Sequence, residues 1–476
     1  MQPPVRALGL PLASLLACGP ASLPGDTDGA TTSAGADSSD GGETAGTTGD
    51  PGEPAGGCVD DGALTRSLAI LDADAAVVRV ASPAGDRTLS AALPGDVDAD
   101  ARIIAATRGP YLAVASSYTI YKGPGDLDEA AAVRLYEHES GALLWEHVLT
   151  RSVNQLYVDA QARVTAELDL RPGGPAGLTI IDGQATALPR FAPRGPIGPE
   201  GQIPGRRLDA AQETYEAVGF YDLATAAFTP VVAATSQWWI LDGAIEHLDP
   251  EASPPRFTVT RPGGAAVHEL TPYADLGAWV WREHSAGDFR LFAADLDLDG
   301  NHADLLVRLD VESGAQVVAS SEPPPGLSRF DCYPEVRVDV EGRVLFELRD
   351  AGSARVHAWD PGQASWSALG QAMTGIEAIT LHPASGRVQV IEGSGPNTTF
   401  CGLSEWIDPP ASALVGASFQ LARVEPPLAL ATASAPTVTD DERCAVWAEE
   451  GGLRIYDLED GDALTLPSSG AALWLE

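Results

Sequence analysis

Lysine is all but missing from this chain. Lys122 is the single one in 476 residues, and lysine and arginine together number 29 against 67 aspartates and glutamates, for a net charge of −38. Binding a nucleic acid requires a basic face that neutralises phosphates, so this balance excludes that class of partner and disfavours anionic lipid surfaces. Such a surface attracts cations and basic proteins, and keeps an exported protein soluble. No apolar run approaches the roughly 18 residues that a membrane-spanning helix needs. Signatures of metal and catalytic chemistry are missing as well. There is no C-x-x-C, no His at ligand spacing from a Cys, no H-E-x-x-H, no G-x-S-x-G and no phosphate-cradling glycine loop. The eight histidines are scattered, and each reads as a solvated or core side chain rather than a base. Catalysis is therefore not the expectation, and no cofactor is required; carboxylate-pair chemistry stays open, because acids are plentiful.

Cysteine is scarce too, five in all, and the first is the most telling. Residues 1–17 carry one basic side chain, Arg6, then an apolar run from Ala7 to Ala17 that is too short to span a bilayer. The run ends Leu15-Leu16-Ala17-Cys18, which resembles a bacterial lipobox. That resemblance implies a signal peptide over 1–17, lipidation at Cys18 and a body attached to the cell envelope through its N-terminal lipid alone. By the same resemblance, Gly19 after the Cys implies the outer membrane. Residues 18–57 are Gly, Ser, Thr, Ala, Asp, Glu and Pro with hardly an apolar side chain, so they cannot bury enough surface to offset the entropy of ordering. They read as a disordered tether with an r.m.s. span on the order of 35 Å, extensible to about 130 Å.

Four cysteines remain in the body, residues 58–476: Cys58, Cys332, Cys401 and Cys444. An even number in a chain bound for an oxidising compartment leads to the expectation of two disulfides, for which three pairings exist. Joining Cys58 to Cys444 and Cys332 to Cys401 is the favoured one, because the first bond would staple the start of the body to its end.

Helical periodicity is hard to find, whereas short alternating runs rich in Val, Leu, Ile, Trp and Tyr recur between Gly, Asp and Pro, so the body reads as all-β. One pattern returns: a strand ending in an acid, a tight turn with Gly, then another strand. It runs through Val133–Trp145, with Glu137 and Gly141, through Leu306–Val318, with Asp310 and Gly314, and through Leu453–Leu466, with Asp457 and Gly461. Looser copies lie at Val218–Thr225 and Val356–Gly362. A second element, seen at Val158–Val164, Val338–Val344 and Leu381–Val388, tends to precede the first by about 20 residues. Together they make a unit of two hairpins, the size of a four-stranded propeller blade. The body resembles bacterial β-propellers of the WD40-like, TolB-like and PQQ-repeat type. What this resemblance implies is a single ring of about eight blades, with seven as the alternative.

One loop stands out for metal chemistry. Asp295, Asp297, Asp299, Asn301 and Asp304 place oxygen ligands at nearly alternate positions around Gly300, a pattern that can converge on calcium. It resembles the calcium loops of FG-GAP-type propellers, although Leu306 stands where an EF-hand has its bidentate Glu; a plain polar hairpin turn is the alternative. Trp238-Trp239, Trp279 and Trp281 are the notable aromatics, for which structural packing is the default and binding of a sugar or partner the alternative. The functional expectation is an envelope lipoprotein whose propeller is a binding platform for proteins or peptides. Its alternatives are a glycan lyase or hydrolase and a calcium-dependent adhesion module. Labelling with a lipid precursor is expected to mark the wild-type chain and not a Cys18→Ser variant; equal incorporation into both would refute the anchor.

Overall fold

Two turn devices written in the sequence organise the sheets. In the first, an acid at the end of one strand ties down the turn that follows. The Asp310 carboxylate accepts the backbone N–H groups of Glu312 and Ser313 at 2.9 and 3.1 Å and the Ser313 hydroxyl at 2.6 Å, while the Gly314 N–H bonds the Asp310 carbonyl at 2.8 Å. These bonds, the Ser313 hydroxyl foremost, hold the Asp310 carboxyl below its ordinary range. Gly314 and Gly141 take left-handed backbone, φ +74° and +73°, and Ala226 does the same at +53°. Asp222 repeats the device on the N–H and hydroxyl of Thr225, and Glu137 on the Ser140 hydroxyl. In the second device Asp159 accepts the N–H groups of Gln161 and Arg163, both at 2.9 Å, and pairs with the Arg163 guanidinium.

In this computed structural model the described residues are 57–60, 62–72, 75–92, 101–123, 126–170, 174–209, 211, 214–241, 243–274, 276, 279–295, 305–320, 336–338, 342–350, 353–360, 363, 365–373, 376–381, 388–392, 411–415, 421–422, 428–429, 437–439, 444–449, 452–457, 462–468 and 470–475. Residues 1–56, with Cys18 and all of the tether but Gly57, and Cys332, Cys401 and the 296–304 part of the acidic loop lie outside them.

Each acid turn joins the third strand of an antiparallel sheet to the fourth, and each turn of the second kind joins the first strand to the second. Among the described residues the chain forms nine sheets of four strands or more in succession. Blade one is residues 67–90 completed by Ala471–Leu475, which pairs with Ser67–Asp72. Blades two to nine follow at 101–149, 153–188, 191–233, 237–269, 279–320, 336–373, 376–429 and 437–466. A short hairpin, Val59–Asp60 with Ala63–Leu64, precedes them. The sequence gives about eight such units, and nine sheets lie among the described residues. Blades three and five close their last hairpins with the two-residue turns Asp182-Gly183 and Pro262-Gly263 in place of the acid turn.

A sheet of this kind has two faces to bury, and among the described residues neighbouring blades cover them at the following seams. Leu68, Ile70, Val446, Ile455 and Trp474 close the seam between blades nine and one. Ala69, Val78, Leu112 and Tyr136 join one to two, and Val133, Leu135, Leu156 and Ile180 join two to three. Clusters of the same kind run through to blade seven, and Val336–Val338 of blade seven meets Ile376–Leu381 of blade eight. Because blade nine packs on blade one, the succession returns on itself and the fold is an all-β propeller. Both edge and burial problems of an isolated sheet are relieved by that arrangement. The helical content among the described residues is a single 3₁₀ turn, Thr271–Tyr273, and no helix among them is long and apolar enough to cross a membrane.

Two seams carry a buried charge clamp with one plan. Glu167, on the second strand of blade three, receives Arg206 at 2.9 Å and Arg194 at 3.2 Å from blade four, and the Tyr215 hydroxyl donates to it at 3.3 Å. Glu246, on the second strand of blade five, receives Arg290 at 2.6 Å and Arg282 at 2.7 Å from blade six. In each clamp one guanidinium also stacks on an aromatic ring, Arg206 on Tyr215 and Arg282 on Trp239, both at 3.8 Å from the ring centroid. Burial pushes the Arg282 guanidinium down to about 9, with the Glu246 charge opposing the fall. Glu246 is only 1% exposed, so removing its charge strands two guanidiniums in a dry seam. Glu246→Gln is expected to cost about 3–5 kcal/mol of stability. Chemical denaturation measures it, and a loss below about 1 kcal/mol would show that the clamp is solvated.

Candidate functional site

The same alternation that closes one side of blade five opens the other. In the strand Arg256–Arg261, Phe257 and Val259 point to blade six, where Phe257 meets Phe292 edge to face at 5.0 Å between centroids. The intervening residues, Thr258 and Thr260, face blade four, and they are small. Blade four answers with Phe220 and Thr229. Part of this seam is filled by Val218, Ile245, Trp238 and Ile240, but beyond them the threonines leave a cleft of about 530 Å³. The turn Arg261-Pro262-Gly263-Gly264 closes one end, with Gly263 at φ +92°.

Two basic side chains line this cleft. His247 lies on the same face as Thr258, its cross-strand neighbour, and its Nδ1 is buried without a hydrogen-bond partner among the described residues. Burial pushes its pKa below the ordinary 6.5, with the charge of Asp249 acting the other way. Arg261 is exposed at the mouth and forms no ion pair among the described residues. The thirteen residues that line the cleft include no aspartate or glutamate, in a chain that has 67. With the hydroxyls of Thr229, Thr258 and Thr260, the cleft offers donors and one free cation, a combination suited to a carboxylate.

The residues singled out from the sequence are distributed differently. Asp295 ends the strand Phe289–Asp295 and the next strand begins at Leu305, so the acidic loop connects the second and third strands of blade six. Asp297, Asp299, Asn301 and Asp304 lie outside the described residues, as do Cys18, Cys332 and Cys401. Among the described residues no group of three or more His, Cys, Asp or Glu side chains is arranged to hold a metal ion. The adjacent tryptophans split across blade five: Trp238 packs toward blade four and donates to the Ala234 carbonyl at 3.1 Å, while Trp239 packs toward blade six under Arg282. Trp281 packs into the seam with blade seven and donates to Glu283 at 2.6 Å. These three rings are thus packing residues. Cys58 and Cys444 are brought side by side at the junction of blades nine and one. His247 and Arg261 were not distinguishable in the sequence, because neither belongs to a motif.

The chain is a β-propeller protein. No protein-family model matches it, and no curated protein matches it. Among solved structures it is similar to a eukaryotic initiation factor, at 11% identity with a TM-score of 0.50 over 86% of this chain and 98% of that one. Similar too are AztD from Citrobacter koseri, at 11% identity and TM-score 0.37 over 86% and 98%, and the β-propeller domain of the Trilobed protease from Pyrococcus furiosus, at 10% identity and TM-score 0.31 over 66% and 95%. At 11% identity the likeness to the initiation factor is one of fold alone.

His247 and His268 share a linkage to pH. Burial lowers both in the folded protein, so the folded state binds fewer protons than the unfolded chain below 6.5. Their contribution to stability is complete above 6.5 and is lost as pH falls through the folded-state values. Melting temperature is expected to fall on acidification through this window, and to fall less in His247→Gln; an identical fall in that variant would remove His247 from the account.

Proposed function

We propose that the propeller is a binding platform of the cell envelope, held there by a lipid on Cys18, and that the cleft between blades four and five receives an extended peptide segment bearing a carboxylate. The observation that carries this reading is the acid-free lining with its free Arg261 and the unpartnered Nδ1 of His247. An acidic protein surface repels acidic peptides in general, so a local patch that accepts them confers selectivity by position. A rigid ring suits this role, because it holds the two walls of the cleft at fixed separation and little ordering entropy is lost on binding. The lipobox-like Leu15–Cys18 and the polar tether to residue 57 support the envelope part of the reading, since a tether of that length holds the ring clear of a membrane surface.

The test is direct binding of short extended peptides that contain Glu or Asp, against matched peptides with Gln or Asn, by calorimetry. Acidic peptides are expected to bind more tightly, and Arg261→Ala to weaken them by about tenfold, the scale of one charge-assisted hydrogen bond. A remote exposed substitution, Glu312→Ala, leaves the affinity unchanged. Equal affinity for acidic and amide peptides, or for wild type and Arg261→Ala, would refute the cleft as the site.

A further inference from the structure

Ring closure in this propeller has two parts. Ala471–Leu475 pairs with Ser67–Asp72 to complete blade one, and the segment just before that strand folds back against blade nine. Cys58 begins this segment. Its N–H donates to the Asp457 carboxylate at 2.9 Å and its thiol to the Tyr456 carbonyl at 3.4 Å, which fixes it over the third strand of blade nine. Cys444 stands directly opposite Asp457 in the adjacent strand and packs in the same buried cluster as Cys58. Both cysteines are 0% exposed, enclosed by Leu68, Val446, Ile455 and Trp474. In the structure both are free thiols.

We propose that Cys58 and Cys444 form a disulfide clasp that closes the propeller covalently, made by exchange with an external small-molecule disulfide while the chain folds. A thiolate of one cysteine attacks the external disulfide, breaking its S–S bond and releasing one thiol; the second cysteine's thiolate then attacks the mixed disulfide and releases the other. The Cys58–Cys444 bond forms as the external disulfide is reduced to two thiols, whose two protons balance those that the cysteines lose. Placement favours this pairing, because the two residues share one buried cluster and both stand against Asp457. The timing follows from burial. Once the seam has closed no external disulfide reaches either sulfur, and the neighbouring Cys444 and Asp457, together with burial, push the Cys58 thiol strongly up, away from the reactive thiolate. Oxidation therefore precedes or accompanies docking of residues 57–64 on blade nine. The proposal goes beyond the binding role and does not depend on it.

The experiment uses the full chain, folded from the denatured state in a glutathione redox buffer, and maps its cysteine peptides without reduction. The expected result is a Cys58 peptide linked to a Cys444 peptide, with a melting temperature about 5 °C or more above that of the chain folded in reductant. A Cys332→Ser/Cys401→Ser chain should keep both the linked peptide and the response to reductant; adding Cys58→Ala should abolish both. Alkylation of Cys58 and Cys444 in the never-reduced, denatured protein, or linkage of Cys58 to Cys332 or Cys401, would overturn the proposal. Since the mapping is done on the wild-type chain, it holds even if a cysteine variant fails to fold.

Discussion

Every sheet in this molecule must bury two faces, and that constraint governs the rest. A radial sheet has no solvent side except at its outer strand, so apolar residues at successive positions are both inside. Blade five makes this plain: Trp238 and Trp239 are neighbours in sequence, yet they belong to different seams. The face that a residue serves is set by parity along the strand, and the content of each seam by two strands' parities meeting. Where large residues meet, as Phe257 meets Phe292, the seam is solid; where threonines meet threonines, a cleft remains. The candidate site is thus a by-product of packing on the far side of the same strand.

The basic residues make sense in that frame. Arginine's planar fork can engage one carboxylate while its flat face lies on a ring, and both clamps use it so: Glu167 with Arg206 on Tyr215, Glu246 with Arg282 on Trp239. A lysine ammonium would supply a point charge without the stacking face, and would lose its proton more readily in a seam dry enough to lower Arg282. Several of the chain's few cations are therefore committed to its interior, which leaves the surface more acidic still. Arg261 forms no ion pair among the described residues and lies at the mouth of the cleft.

Local features were legible in the sequence and non-local ones were not. The acid turns at Glu137, Asp222 and Asp310 involve groups within five residues of each other, so their pattern is visible in the chain, and it marked the third-to-fourth strand junctions correctly. The all-β propeller class followed from that recurrence. The acid turn does not mark every blade, because blades three and five turn differently. The clamps join residues 39 and 44 apart with no local signature, and the cleft is an absence of bulk that only the pairing of blade faces reveals. Cys58 and Cys444 occupy the intermediate case: counting cysteines raised their pairing as an option, and only ring closure places them together.

The sharing of blade one between two distant stretches of chain has a consequence for biogenesis. Residues 67–90 emerge early, but the strand that completes their sheet is Ala471–Leu475, so an unpaired edge along Ser67–Asp72 persists while eight further blades are made. During that interval the edge can be capped by the same strand from another copy, which satisfies the same backbone hydrogen bonds. Crowding of nascent chains thus sets a competition between an intact monomer and a strand-exchanged pair, decided by whichever end arrives first.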